Sequence, residues 1–91
     1  MPDTETTFQD LIARVDRTLE HLRSARAQDI DGSEAREIMR PLRGEPHKFT
    51  GIGYLLQFAL PNFFFHAATA YDILRHNGVE LGKSDFIGAI D

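Results

Sequence analysis

The stretch FTGIGYLLQFALPNFFFHAATAY, residues 49–71, decides the fold, because its 23 residues include no Asp, Glu, Lys or Arg. Between residues 52 and 74, 16 of 23 side chains are apolar, and at helical spacing they surround the whole circumference. A helix of this kind lies at the centre of a protein or in a membrane. We predict a helix over 51–76, which Pro61 kinks near residues 57–61 and Gly78 ends in a left-handed cap.

A membrane span is the first alternative, since about 20 apolar residues cross a bilayer. The stretch is interrupted by polar side chains and a proline, and its only basic flanking residues are Lys48 and Arg75. The interrupting residues are Gln57, Pro61, Asn62, His66 and Thr69. A helix with one apolar face elsewhere in the chain can cover the stretch in water, so we expect a bundle and no membrane partner.

That second helix is predicted over residues 7–27. Its apolar side chains recur every three or four positions and form one stripe, which is typical of packing against a core. The stripe consists of Phe8, Leu11, Ile12, Val15, Leu19 and Leu22. Thr6 and Gln9 fit a capping box, and Asp10 adds negative charge to the first turn.

The segment between the two helices is predicted as a loop over 28–33 and a β-hairpin. Residues 37–42 and 46–50 are its strands, and residues 43–45 form the turn. A proline in each strand limits both strands to the edges of a sheet. The apolar side chains of the tail, residues 77–91, are expected to fold back onto the bundle.

Composition restricts the classes of function. The net charge is −4, which argues against wide phosphate contact, so we expect no nucleic-acid partner. The chain has no cysteine, which excludes disulfides and thiolate metal sites and fits a reducing compartment. Its first residues are acidic and polar and lack the features of a signal peptide. We therefore predict a cytoplasmic location.

Several polar side chains lie along one face of the predicted apolar helix. Asn62, His66 and Thr69 share one helical face, which continues towards His76 near the helix end. Buried polar groups need hydrogen-bond partners, so two interpretations compete. Either His66 is a metal ligand or general base oriented by Asn62, or both form a satisfied polar pair between packed helices. A single histidine favours the second, and helix-dipole stabilisation accounts for His76.

Two longer segments are similar to the closing part of a bacterial family described as a domain of unknown function, DUF1993. They are YLLQFALPNFFFH, residues 54–66, and TAYDILRHNGVELGK, residues 69–83. Residues 3–8, DTETTF, and 49–51, FTG, also resemble that family. The family resembles the DinB/YfiT-like superfamily of four-helix bundles, which are commonly dimeric. Its members carry about two further helices before the part that matches Thr4, so the resemblance implies half of a bundle.

The resemblance also implies a site. Some members of the superfamily hold a metal ion with three histidines, and some are thiol-dependent transferases or isomerases. Two of those histidines lie four residues apart on the last helix. On this chain their positions fall on Asn62, which is a poor metal ligand, and on His66. The third ligand would come from an earlier helix, so the implied site is degenerate here.

The leading interpretation is a mainly α protein. One partial DinB-like domain covers residues 1–91, as an α-hairpin that forms half of a four-helix bundle, with a short β-hairpin between the helices. The chain would be a non-enzymatic module that forms a homodimer, since one amphipathic helix cannot cover a helix that is apolar all round. The expected assembly residues are Phe58, Phe63, Phe64, Phe65, Tyr71 and Leu74.

Two alternatives remain open. The chain could be a metal- or thiol-dependent transferase with His66 at the reaction centre, where zinc or nickel would bind. Alternatively, it could be an interaction domain that docks on a different polypeptide supplying the missing helices.

Overall fold

The computed structural model describes residues 2–90 and separates the chain into two compact units, Met1–Ser33 and Glu34–Asp91. The first unit holds α1 (Phe8–Ser24) and α2 (Ala27–Ile30). The second begins with the strands β1 (Glu37–Leu42) and β2 (Glu45–Thr50). It continues with α3 (Gly51–Tyr54), a π-helical turn (Leu55–Ala59), α4 (Leu60–His76) and α5 (Lys83–Ile87). The predicted mainly α fold with a small antiparallel hairpin is confirmed.

The start of α1 lies one residue later than the predicted capping box. Thr7 is the N-cap, and its hydroxyl accepts a hydrogen bond from the Asp10 N–H at 3.1 Å. The Asp10 carboxylate accepts from the N–H groups of Thr6 and Thr7 at 3.1 and 3.3 Å. The prediction of Thr6 with Gln9 was wrong because a carboxylate is a stronger acceptor than a carboxamide and also interacts favourably with the helix dipole.

The end of α1 lies at Ser24, three residues before the predicted end. The Ser24 hydroxyl donates to the carbonyl of His21 at 2.6 Å, and that carbonyl would otherwise accept from the N–H of Ala25. The Ala25 N–H bonds to Leu22 O instead, and Ala25 has an extended backbone. The predicted loop over 28–33 is wrong in part, because its first residues belong to the single turn of α2.

The β-hairpin turns through two residues. Arg43 and Gly44 both have positive φ, 52° and 82°, which is the backbone of a type I′ turn. Pro41 lies opposite Pro46, one position outside the pair that flanks the turn. In a two-residue hairpin that position is a non-hydrogen-bonded pair, so neither proline removes a bond from the ladder. This explains how two prolines fit in one short hairpin.

The helix from Gly51 to His76 is continuous, and its irregularity lies where Pro61 predicts one. The N–H of Leu60 bonds to the carbonyl of Leu55, five residues earlier, which defines a π-helical turn. Proline has no N–H, and its ring crowds the carbonyl four residues before it, here that of Gln57. A wide π-helical turn relieves this crowding without ending the helix.

The end of α4 is a Schellman motif around Gly78, which has a φ of 96°. The Val79 N–H bonds to Leu74 O, and the Gly78 N–H bonds to Arg75 O, both at 3.1 Å. The left-handed cap at Gly78 therefore agrees with the prediction. Asn77 strengthens the end through its side-chain amide, which donates to the carbonyl of Ile73 at 2.7 Å.

The core of the second unit is a small aromatic cluster. Phe49 on β2 is 8% exposed and is the buried hydrophobic side chain among the described residues. Its ring lies 5.4 Å from Tyr54 and 6.3 Å from Phe58, and Tyr54 stacks on Phe58 at 5.5 Å. A hydrogen bond from Ile52 N–H to Glu34 O ties the start of α3 to the segment before the hairpin. These contacts fix the hairpin against the first turns of the long helix.

Within residues 2–90 no helix is both long enough and apolar enough to cross a membrane.

Candidate functional site

The predicted polar face lies on α4 as expected from its spacing. Asn62, His66 and Thr69 are all exposed in the chain, as is His76 at the end of the helix. The described residues include no hydrogen bond between Asn62 and His66, which are one helical turn apart. The His66 ring instead meets the edge of its neighbour Phe65, with centroids 5.3 Å apart. The structure therefore brings these residues to one face without joining them into a network.

Burial of Asn62 and His66 as a polar pair stays a prediction. Nothing among residues 34–90 covers either side chain, so burial would need a surface from outside these residues. Exposed as they are, both amide and imidazole can be satisfied by water.

The residues present do not fit the three-histidine metal site that the resemblance implied. Across residues 2–90, no group of three or more His, Cys, Asp or Glu side chains is placed to hold a metal ion. Among Asn62, His66 and Thr69, the strong metal ligand is His66, and Asn62 occupies the position to which the resemblance assigns the partner histidine.

The apolar part of the predicted assembly surface is open. Phe63, Phe64 and Phe65 are 63%, 54% and 65% exposed, and Leu74 is exposed as well. Consecutive residues project about 100° apart around a helix, so the three rings cover more than half of the circumference. Phe63 and Phe64 meet edge to face at 5.5 Å, and this neighbouring contact leaves most of both rings accessible.

Among the six expected assembly residues, Phe58 and Tyr71 contact aromatic side chains on other elements of the chain. Phe58 is half-buried in the aromatic cluster with Phe49 and Tyr54. Tyr71 is half-buried against Phe86 of α5, with ring centroids 5.4 Å apart at an interplanar angle of 79°. The open apolar surface therefore centres on the three consecutive phenylalanines.

A cleft between α4 and α5 was not expected from the sequence. Its volume is about 240 Å³, and Ala68, Tyr71, Asp72, Arg75, Lys83 and Phe86 line it. The signal that could have found it is the spacing of Ala68, Tyr71, Asp72 and Arg75, which places them on one helical face. The fold-back of Phe86 was expected only in general terms, as part of an apolar tail. Which face of α4 it would meet is a matter of tertiary structure.

The chain is similar to a crystal structure of a DinB family member protein from Shewanella denitrificans, with 39% sequence identity and a TM-score of 0.87. The match covers 99% of this chain and 50% of that one, so the chain spans half the length of that relative. A search of the curated proteins gives no match.

The mainly α fold and this likeness define the class as a DinB-like helical protein. Residues 1–87 match the family described as "Domain of unknown function (DUF1993)". The chain belongs to the DUF1993 family.

Proposed function

We propose that this protein is a self-associating helical module, in which the exposed phenylalanines of α4 pack against a second copy. The observation that carries the proposal is the exposure of Phe63, Phe64 and Phe65 on a continuous helix that has no charged residue before Asp72. Exposed apolar surface of this extent on a soluble protein marks an interaction site.

Within the second unit, the hairpin and α5 pack near the two ends of the long helix. The hairpin packs at the α3 end of the long helix through Phe49, and α5 packs at the other end through Phe86. The helical turns that contain the three phenylalanines lie between these two contacts. An isologous dimer with two copies of this surface face to face would cover them.

The polar face gives such a dimer a means of alignment. Asn62 and His66 lie one turn apart beside the phenylalanines, and a polar group in an apolar interface specifies the register between helices. Two copies also have the combined length of the DinB family relative. We therefore extend the proposal to a four-helix bundle formed by a cytoplasmic bacterial homodimer.

Sedimentation equilibrium of wild type and Phe64→Glu tests the proposal. Burial of a phenylalanine contributes about 1.5–3 kcal/mol, and a charged carboxylate in its place adds a desolvation cost. We expect wild type to have the mass of two chains at micromolar concentrations. Phe64→Glu should raise the dissociation constant at least about tenfold.

Ile90→Glu is the matched control, because it places the same charge at an 83% exposed apolar residue outside α4. It should leave the dissociation constant unchanged. A wild-type protein with the mass of one chain at every concentration would contradict the proposal, as would equal effects of the two substitutions. A complex with a different polypeptide that excludes self-association would support the alternative of a docking domain.

A further inference from the structure

The cleft between α4 and α5 has an apolar floor that tertiary contacts hold in place. Tyr71 and Phe86 meet edge to face at 5.4 Å, and Ala68 lies one turn before Tyr71. The Tyr71 hydroxyl donates a hydrogen bond to the carbonyl of Gly82, the residue just before α5. The ring contact and the hydrogen bond together fix the segment around α5 against α4, so the two walls of the cleft are connected.

The rim of the cleft is charged. Arg75 and Lys83 line it, together with one carboxylate, Asp72. All three are exposed, and within residues 2–90 none of them forms an ion pair. The lining thus carries one net positive charge in a chain whose net charge is −4. Guanidinium and ammonium groups outside ion pairs can donate hydrogen bonds to a carboxylate or another anion.

We propose that this cleft binds a small monocarboxylate that carries one aromatic or branched apolar group. The apolar group would lie against Tyr71, Phe86 and Ala68, and the carboxylate would accept hydrogen bonds from Arg75 and Lys83. The volume of about 240 Å³ is below the about 300 Å³ at which pockets for drug-sized ligands begin, which favours a ligand with about one ring. This inference does not depend on self-association through the phenylalanines.

An NMR titration of the full chain with 3-phenylpropionate tests the site. We expect saturable shifts in the amide signals of residues 68–86, and weaker binding as salt is raised, because the rim charges are exposed. The neutral analogue 3-phenylpropionamide should bind at least about fivefold more weakly. Equal affinity for the two compounds, or no saturable shifts in that segment, would overturn the proposal.

Substitutions of the basic and of the acidic rim residues should change the affinity for 3-phenylpropionate in opposite directions, which a general loss of folding cannot produce. Arg75→Gln and Lys83→Gln should each weaken binding of 3-phenylpropionate about threefold to fivefold, because each removes one exposed attractive charge. Asp72→Asn should tighten binding by a similar factor, because it removes the repulsive charge. Arg36→Gln, an exposed cation outside the cleft, is the control and should leave affinity unchanged. Weaker or unchanged binding in Asp72→Asn would contradict the assignment of the carboxylate site.

Discussion

At the scale of single residues, carboxylates organise the first turn of α1. Asp10 accepts hydrogen bonds from two backbone N–H groups, of which the bond from Thr6 does most to lower the pKa of its carboxyl. Arg14 forms ion pairs with Asp3 at 3.0 Å and with Glu5 at 2.8 Å. The pKa of Glu5 is also lowered, first by the hydrogen bond from its own N–H and then by Arg14. The charged forms of both carboxyls therefore favour the observed start of the helix.

The lowered pKa of Asp10 predicts a loss of α1 stability in acid. A carboxyl whose pKa is lower in the folded state stabilises that state above its ordinary pKa, 3.8 for aspartate, and the contribution is lost as the pH falls through the lowered value. We expect helical circular dichroism of wild type to decrease in that range. Asp10→Asn should show a smaller decrease, because residue 10 no longer titrates.

Asp16→Asn is the control for this experiment, since Asp16 lies on the same helix outside the capping box. Its pH profile should follow that of wild type. A wild-type profile that matches Asp10→Asn would show that the cap carboxylate does not couple folding to pH.

At the scale of elements, local chemistry accounts for what could be predicted from the sequence. The hairpin was predicted around a turn over residues 43–45; the turn is Arg43–Gly44, and Glu45 is already the first residue of β2, paired with Leu42. The end of α4 follows from Gly78, because caps depend on neighbouring residues. Pro61 indicated where the long helix is irregular; a kink near residues 57–61 was predicted, and the structure has a π-helical turn at Leu55–Ala59. Because proline has no N–H, the carbonyl of Gln57 loses its helical donor, and the form that the helix takes around it also depends on packing around the turn.

The aromatic cluster is the element-scale contact that holds the hairpin to the long helix. Phe49→Ala should lower the free energy of unfolding of the second unit by about 3 kcal/mol or more, because it removes the buried ring and leaves a cavity beside Tyr54 and Phe58. Denaturant unfolding followed by near-ultraviolet circular dichroism measures the change through the tyrosine signals.

Met39→Ala is the matched control, since Met39 lies on the other strand of the hairpin and is 55% exposed. We expect it to change the free energy of unfolding by less than about 1 kcal/mol. Similar losses in the two variants would mean that the cluster around Phe49 is not the core of the unit.

At the scale of the whole molecule, the pattern of apolar residues predicted a helix buried on several sides, and the chain leaves part of that apolar surface exposed. The even distribution around residues 52–74 indicated a helix that needs partners on several sides, and the structure leaves Phe63, Phe64 and Phe65 open. The sequence did not predict which aromatic side chains would be used internally. Phe58 and Tyr71 contact residues on other elements, and such pairings are set by tertiary structure and not by helical spacing.

For the candidate site, too, relations along one helix could be predicted from the sequence, and contacts between elements could not. Helical spacing correctly placed Asn62, His66 and Thr69 on one face of α4, because that relation is local. Hydrogen-bond partners for these residues could not be derived from spacing, and the described chain supplies none between Asn62 and His66. The cleft at Tyr71 and Phe86 was missed for the related reason that its walls come from two elements.

The concentration dependence of thermal unfolding tests most directly whether association completes the fold. For a chain whose folded state is coupled to dimer formation, mass action stabilises the folded state as protein concentration rises. We predict that the Tm of wild type increases over a micromolar concentration series and that Phe64→Glu has a lower Tm with little dependence on concentration. A wild-type Tm that is the same at every concentration, with the mass of one folded chain, would contradict the account.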